Sequence, residues 1–346
     1  MHRLDPRMWL ALGLLFSSCV EGPAARPPAA ERPPSVAPDA LDAGDDNVIL
    51  VTIDGVRWQE IFTGADPALA DAAALPGGER RTARALTPNL HRLFFDDGVV
   101  LGDPRLGHPF VASGPNYVSL PGYVEMMTGA ASGCAGNDCE PHVSWTIAGE
   151  AARAPGDGAA VFASWERIAL AVPPDVSGLL LRAGRASSEQ APPYPGNGEY
   201  RPDQRTAAMA IDHLVHRRPR FLWVALGDTD EWAHRHDYRG YLESLRFADS
   251  FVGELSAHLA AMGDYGERTA ICVTTDHGRD ADFADHGGAD SAGVWLTAGG
   301  GPIAARGSTP LLQRGGLRDL APTIAAILGE PGPECSACGR VLDELF

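Results

Sequence analysis

Two imidazoles stand nine residues apart in Asp276-His277-Gly278 and Asp285-His286-Gly287, directly after the apolar run TAICV. A lone Asp-His pair says little, because most such histidines are structural. Two other apolar runs carry the same residue types at their ends. NVILVTI runs into Asp54-Gly55, and RFLWVAL runs into Gly227-Asp228-Thr229-Asp230, with His234 four residues after Asp230. Residues four apart share one face of a helix, so Asp230 and His234 could grip one ion if the chain turns helical there. Asp228 is the alternative to Asp230, or a carboxylate behind it. Carboxylates and imidazoles without thiolates suit zinc or manganese. Together these residues exceed what one tetrahedral ion needs; two ions about 3.5–4 Å apart would use them all and could clamp an in-line displacement.

A nucleophile for that displacement is available in SGPNYVSLPGYVEMMTG, residues 113–129. Ser119 precedes Leu-Pro-Gly and an apolar helical turn. A serine at a helix start sits among unpaired N–H groups that favour an oxyanion or phosphate. A divalent ion lets such a hydroxyl ionise near neutral pH. The plain alternative is an N-cap serine. Asp280, Asp282 and Asp285 read as a solvated acidic loop.

The elements that must position these residues follow from pattern. Continuous apolar runs rather than alternating ones predict strands buried on both faces, as in parallel sheets, and AGVWLTAGG adds a fourth. DYRGYLESLRFADSFVGELSAHLAAM places Tyr238, Tyr241, Leu242, Leu245, Phe251, Val252, Leu255 and Leu259 on one helical face. PDQRTAAMAIDHLVHRR and LRDLAPTIAAIL also read as helices. The alternation predicts an α/β fold, a doubly wound, mostly parallel sheet sandwiched by helices, with the ligand crevice outside the carboxyl ends of the strands.

Composition narrows the chemistry. The 346 residues carry a formal charge of −17, from 45 Asp+Glu against 28 Lys+Arg. No basic field exists to bind a nucleic-acid duplex. All 28 positive side chains are arginine, which excludes a lysine Schiff base and the lysine-bearing phosphate loop of nucleotide-driven motors.

The N-terminus predicts export. MHRLDPR, then the short apolar stretch MWLALGLLF, then SSC ending at Cys19 resemble a bacterial lipoprotein signal over residues 1–19, although Phe16 departs from its usual pattern. Residues 20–46 read as a Pro/Ala-rich linker, and residues 47–346 as a single catalytic domain. Nothing else is long enough to span a bilayer, so a lipid on Cys19 would be the sole membrane attachment, in the periplasm or on the outer surface. In an oxidising compartment Cys134/Cys139 and Cys335/Cys338 are spaced for local disulfides, with Cys272 a buried thiol.

VTIDG, SLPGYVEMMTG, the Asp230/His234 pair, TTDHG and the later His286 occur in the order seen in the alkaline phosphatase superfamily of phosphatases, phosphodiesterases and sulfatases, which the chain resembles from about Asn47 to Leu328. TPNLHRL and RDLAPTIAAILG also look like its recurring segments. The resemblance implies that Asp54, Asp276 and His277 hold one ion, with Ser119 as hydroxyl ligand and covalent nucleophile. Asp230, His234 and His286 would hold the second, zinc being the first expectation and manganese the other. It implies hydrolysis of a small-molecule phosphate mono- or diester through a phosphoserine.

Departures bear on the branch. Tyr123 stands where sulfatases have the arginine of their formylglycine motif. Gly122 stands where the diesterases have a phosphate-touching asparagine, for which Asn116 is a possible replacement. Arg57 and Arg279 flank the ligands as candidate substrate-binding cations, each with a structural ion pair as its rival role. A sulfatase or a phosphoryl-type transferase is the first alternative, and a non-catalytic metal- and anion-binding lipoprotein the alternative of another class. The oligomeric state is not legible.

Overall fold

The computed structural model describes residues 46–153, 158–174, 176–185, 193–194 and 199–346. The proposed signal, its Cys19 and nearly all of the linker lie outside the described residues. An eight-stranded sheet organises the rest, in the order β5-β4-β6-β1-β7-β8-β2-β9. The strands are β1 (Asn47–Ile53), β2 (Val99–Leu101), β4 (Ala159–Ala163), β5 (Leu179–Ala183), β6 (Phe221–Leu226), β7 (Thr269–Thr274), β8 (Leu296–Gly299) and β9 (Gly307–Ser308). A two-stranded ribbon pairs β3 (Phe110–Val111) with β10 (Gly315–Gly316).

From β5 to β7 every pairing is parallel. Each central strand feeds two cores. Val48 and Leu50 of β1 pack on one face and Ile49, Val51 and Ile53 on the other; Phe221, Trp223 and Ala225 of β6 oppose Leu222, Val224 and Leu226 in the same way. That double burial is why these strands read as unbroken apolar runs. Helices Ser119–Thr128, Ile147–Arg153 and Leu320–Leu328 cover one face, while Asp203–Arg217 and Tyr238–Ala260 cover the other. All eight residues expected on the apolar face of the long helix are buried.

One strand departs from expectation. The run AGVWLTAGG supplies β8, which pairs antiparallel with β7. Between them, residues 275–295 contain a single short 3-10 turn, Ala289–Ala292, so no helix carries the chain back across the sheet. Without a crossover the next strand must run in reverse. The segment that replaces the crossover holds Asp276, His277, Arg279 and His286.

Both local disulfides form, Cys134–Cys139 and Cys335–Cys338, and Cys272 is free and buried. Among the described residues no helix is long and apolar enough to cross a membrane.

Candidate metal centre and nucleophile

Adjacent strands β6, β1 and β7 end side by side, so their first loop residues meet above the sheet. Asp54 follows β1, Asp276 and His277 follow β7, and the helix Asp228–His234 follows β6. Gly55 makes the first turn possible. Its φ is 63°, and a Cβ there would lie 2.6 Å from both Asp230 Oδ1 and an Arg279 nitrogen, so only glycine fits. Its N–H donates to Asp276 Oδ1 at 3.1 Å, while the Thr229 hydroxyl donates to the Asp54 carbonyl at 2.6 Å.

His277 Nε2 stands 3.4 Å from Asp54 Oδ1 and 3.4 Å from Asp276 Oδ2. Its Nδ1 lies 2.7 Å from the Gly278 carbonyl. A carbonyl only accepts, so Nδ1 carries a proton and Nε2 is the nitrogen that faces the carboxylates, where it can take up a second proton or ligate an ion. Ser119, buried at the first position of its helix, has Oγ 3.2 Å from His277 Nε2 and 3.4 Å from Asp54 Oδ1. It is not an N-cap: the cap position is Val118, without a side-chain bond, and the Ser119 hydroxyl turns toward the cluster.

The second group forms as helical spacing requires. His234 Nε2 is 2.9 Å from Asp230 Oδ2, and His286 Nε2 is 3.2 Å from His234 Nε2 and 3.8 Å from Asp230 Oδ1. His286 Nδ1 is 3.2 Å from the Tyr117 carbonyl, and the Tyr117 N–H donates to Gly287 O at 3.4 Å, which ties this loop to the approach to Ser119. The His277 and His286 rings stack with centroids 3.9 Å apart, joining the two groups.

The electrostatics ask for a cation. Asp54, Asp276 and Asp230 are three buried carboxylates in one cluster. Burial, then repulsion by Asp276 and Asp230, raises the Asp54 carboxyl above its usual range. Burial opposes a charge on His277, yet Asp276 and Asp54 outweigh it and push the imidazole up to about 9. Burial and the neighbouring His277 push His286 down to about 3. One positive charge is thus drawn to the centre of the cluster. Asp276 Oδ2 is buried with no hydrogen-bond partner, a costly state that a bound cation would relieve. Asp54, Asp276 and His277 offer ligand atoms within 4.8 Å of one another, as do Asp230, His277 and His286. The donor set fits divalent ions of the zinc and manganese type.

Four residues with sequence-based expectations stand elsewhere. Arg279 is buried, and its three nitrogens donate to Asp230 Oδ1, Phe283 O and Ala284 O. It therefore orients the Asp230 carboxylate and is not presented to a substrate. Burial would raise Asp230, and Arg279, with His234 and His286, outweighs it and holds the carboxyl well below the usual range. Arg57 is committed to Glu60 and Asp66. Asn116 Nδ2 donates to Ala135 O at 2.5 Å and braces a loop. At Gly122 a Cβ would lie 2.6 Å from the Asp276 carbonyl; the glycine lets the Ser119 helix approach β7 and leaves no room for a side chain.

Asp228 faces away from the cluster, with Tyr194 donating to its Oδ1 at 2.5 Å and the Asp203 N–H at 3.3 Å. Two residues along a helix turn by about 200°, so Asp228 and Asp230 cannot face one ion together. Asp280 accepts from the Ser291 hydroxyl at 2.8 Å and from Gly288 N–H at 2.9 Å, so it braces the His286 loop rather than merely meeting solvent.

Two contributors carried no signal of their own. Tyr123, buried, donates to Asp54 Oδ2 at 2.8 Å; its position had shown only that an arginine was missing. Asn137 Oδ1 accepts the Leu120 N–H at 2.9 Å, from a loop seventeen residues away.

No curated protein matches the chain in sequence. A model described as the metalloenzyme superfamily matches residues 199–331, the segment that carries Asp230, His234, Asp276, His277 and His286. Among solved structures, a candidate sulfatase from Bacteroides thetaiotaomicron is similar with a TM-score of 0.58 and 14% identity, over 86% of this chain and 74% of that one. A phosphonate monoester hydrolase of Agrobacterium radiobacter gives 0.56 and 14%, over 87% and 77%. A member of the alkaline phosphatase superfamily from Vibrio parahaemolyticus gives 0.55 and 15%, over 87% and 70%. The fold is the one these solved structures share, and residues 199–331 carry the likeness to the metalloenzyme superfamily.

Proposed function

We propose that the protein is a two-metal hydrolase of small phosphate esters, with Ser119 as covalent nucleophile. The observation that carries this reading is the placement of the Ser119 hydroxyl 3.2 Å from His277 Nε2 and 3.4 Å from Asp54 Oδ1, in the cluster that holds Asp276 Oδ2, a buried carboxylate oxygen without a hydrogen-bond partner. Asp54, Asp276 and His277 hold one ion and Asp230, His234 and His286 the other, zinc being the better fit to this mixed N/O set. Ions held there supply the positive charge that lets a serine hydroxyl ionise near neutral pH and that neutralises ester oxygens.

The chain's own residues do the rest. Ser119 Oγ forms a bond to phosphorus as the bond to the ester oxygen breaks, and the alcohol leaves with a proton. Water then breaks the Ser119 Oγ–phosphorus bond, releasing phosphate and restoring the hydroxyl. His277 and His286 keep Nε2 aimed inward through their Nδ1 contacts, and Arg279 fixes Asp230.

Tyr123 favours phosphoryl over sulfuryl transfer, because it fills with a phenol the place of the arginine that accompanies formylglycine in sulfatases, leaving Ser119 unmodified. Sulfate ester hydrolysis is the second reading, supported by the likeness to a candidate sulfatase. Two disulfides suit an oxidising compartment, and we place the protein outside the cytoplasm, tethered by a lipid on Cys19.

The test is a panel of nitrophenyl phosphate, bis-nitrophenyl phosphate and nitrophenyl sulfate given to the zinc-loaded protein. Chelator-sensitive turnover of a phosphate ester is expected. Sulfate turnover alone would favour the second reading, and metal-loaded protein inert on all three would contradict hydrolysis.

The Tyr123–Asp54 bond gives a separate expectation. Tyr123→Phe should weaken metal affinity about 10–100-fold, the usual cost of removing a partner that orients a ligand. Titration with zinc under a competing chelator measures it, and unchanged affinity would remove Tyr123 from this role.

A further inference from the structure

The short helix Asp228–His234 presents two different faces. Asp230 and His234, four residues apart, stand in the metal cluster. Asp228 and Trp232, also four apart but on the other side, line a cavity of about 380 Å³. Tyr194 lines it too, and the long helix Tyr238–Ala260 contributes Gly240, Glu243, Ser244 and Phe247 from one of its faces. Gly240 lets the two helices meet, since a Cβ there would lie 2.5 Å from the Trp232 ring. Three aromatic rings and two carboxylates thus share one cavity, and no described residue that lines it is cationic.

The charge at this cavity is unbalanced. Asp228 is 5% exposed, and Asp203, next to it, 1%. Asp203 accepts from the Ser164 hydroxyl at 2.6 Å and from the Gly227 and Asp228 N–H groups at 2.8 and 3.0 Å. Asp228 accepts from Tyr194 and from the Asp203 N–H. Each of these donors is neutral. Arg201 is engaged by the Ala163, Arg182 and Gly184 carbonyls, and Arg235 by those of Pro193 and Tyr194. Two adjacent buried carboxylates without a cation are costly, and the cavity that Asp228 lines gives a cation access to them. Hard metal ions prefer a shell of oxygens, whereas an organic ammonium ion gains from aromatic faces.

We propose that this cavity binds a small organic ammonium ion, its charge set against Asp228 and Glu243 and its alkyl groups against Tyr194, Trp232 and Phe247. The site lies across the helix from the metal ligands and does not depend on the reading of Ser119 as nucleophile.

Calorimetric titration of the full, zinc-loaded chain with benzyltrimethylammonium tests this, with benzyl alcohol as the uncharged probe. Saturable binding of the cation and none of the alcohol is expected. Asp228→Asn keeps an oxygen for the Tyr194 hydroxyl and the Asp203 N–H but removes the charge, and should weaken binding about 10-fold. Phe247→Leu keeps an apolar side chain without a ring and should weaken it about 3-fold. Phe247 is only half-buried, so this variant decides the matter even if Asp228→Asn fails to fold. Ser119→Ala and saturating orthovanadate should leave the affinity unchanged. No saturable binding would mean that protons neutralise the carboxylates, and would overturn the inference. Equal binding of the alcohol, or full affinity in Phe247→Leu and Asp228→Asn, would overturn it as well. So would competition with orthovanadate, which would assign the cation to the metal centre. Ester turnover by the wild type and by Ser119→Ala tests the nucleophile separately.

Discussion

Ser119→Ala is expected to lower turnover by about a thousandfold or more while the protein stays folded. The hydroxyl is the nucleophile of the proposed mechanism, and its loss removes the two-step route through a phosphoserine. The stability effect should be small. Ser119 caps nothing, since the Leu120 N–H is held by Asn137 instead, and alanine favours a helix. Steady-state kinetics on the best ester and a melting curve check both parts. Retained turnover would move the nucleophile elsewhere and reduce Ser119 to a packing residue.

The second large effect concerns the ions and pH. Stripping them is expected to lower the melting temperature by about 10 °C, the scale of a ligand held well above its dissociation constant. The pH dependence of stability should differ with and without ions. His277 is pushed up to about 9 in the folded metal-free state, against about 6.5 unfolded. A group with a raised folded pKa contributes stability that is full below the unfolded value and is lost as pH rises through the folded one. Glu231, raised to about 7 chiefly by burial, acts in the same direction.

His286 opposes them only below about 6.5, because burial and His277 push its folded value down to about 3. Between pH 6.5 and 9 that opposition has ended, so the metal-free protein should lose stability as pH rises. Bound ions replace the protons that the cluster otherwise retains, and their ligands must be deprotonated. The stabilisation on adding zinc should therefore grow across the same window. Melting curves at pH 6.5 and 9, with chelator and with zinc, measure it. A metal increment that shrinks toward pH 9 would contradict the assignment of these ligands.

Much of the site was legible in the sequence because its residues stand at strand ends. Three unbroken apolar runs mark strands buried on both faces, and the residue after each falls at the crevice whatever the details of packing. Asp54 and the Asp276-His277 pair come from that rule, and the four-residue spacing adds Asp230 with His234. The long helix was legible for a similar reason, since eight apolar residues repeat at its period.

What stayed hidden depends on contacts between distant segments. The reversal of β8 follows from the missing crossover helix in 275–295, where glycines, carboxylates and histidines give no periodic signal. Arg279 looked available because sequence shows proximity to ligands and not the two carbonyls and one carboxylate that engage its three nitrogens. Gly122 looked like a missing side chain until the Asp276 carbonyl was seen against it. Asn137 reaches the Leu120 N–H from a disulfide loop that no local pattern connects to that helix, and Tyr123 registers in sequence as a substitution rather than as a bond to Asp54.

The most direct measurement is acid quenching of the zinc-loaded protein during turnover of its best phosphate ester, followed by high-resolution mass analysis of the peptide that carries Ser119. The account predicts a phosphoryl group on Ser119, absent after chelation and absent in Ser119→Ala. Rapid turnover with Ser119 unmodified throughout, or with the phosphoryl group on another residue, would contradict it.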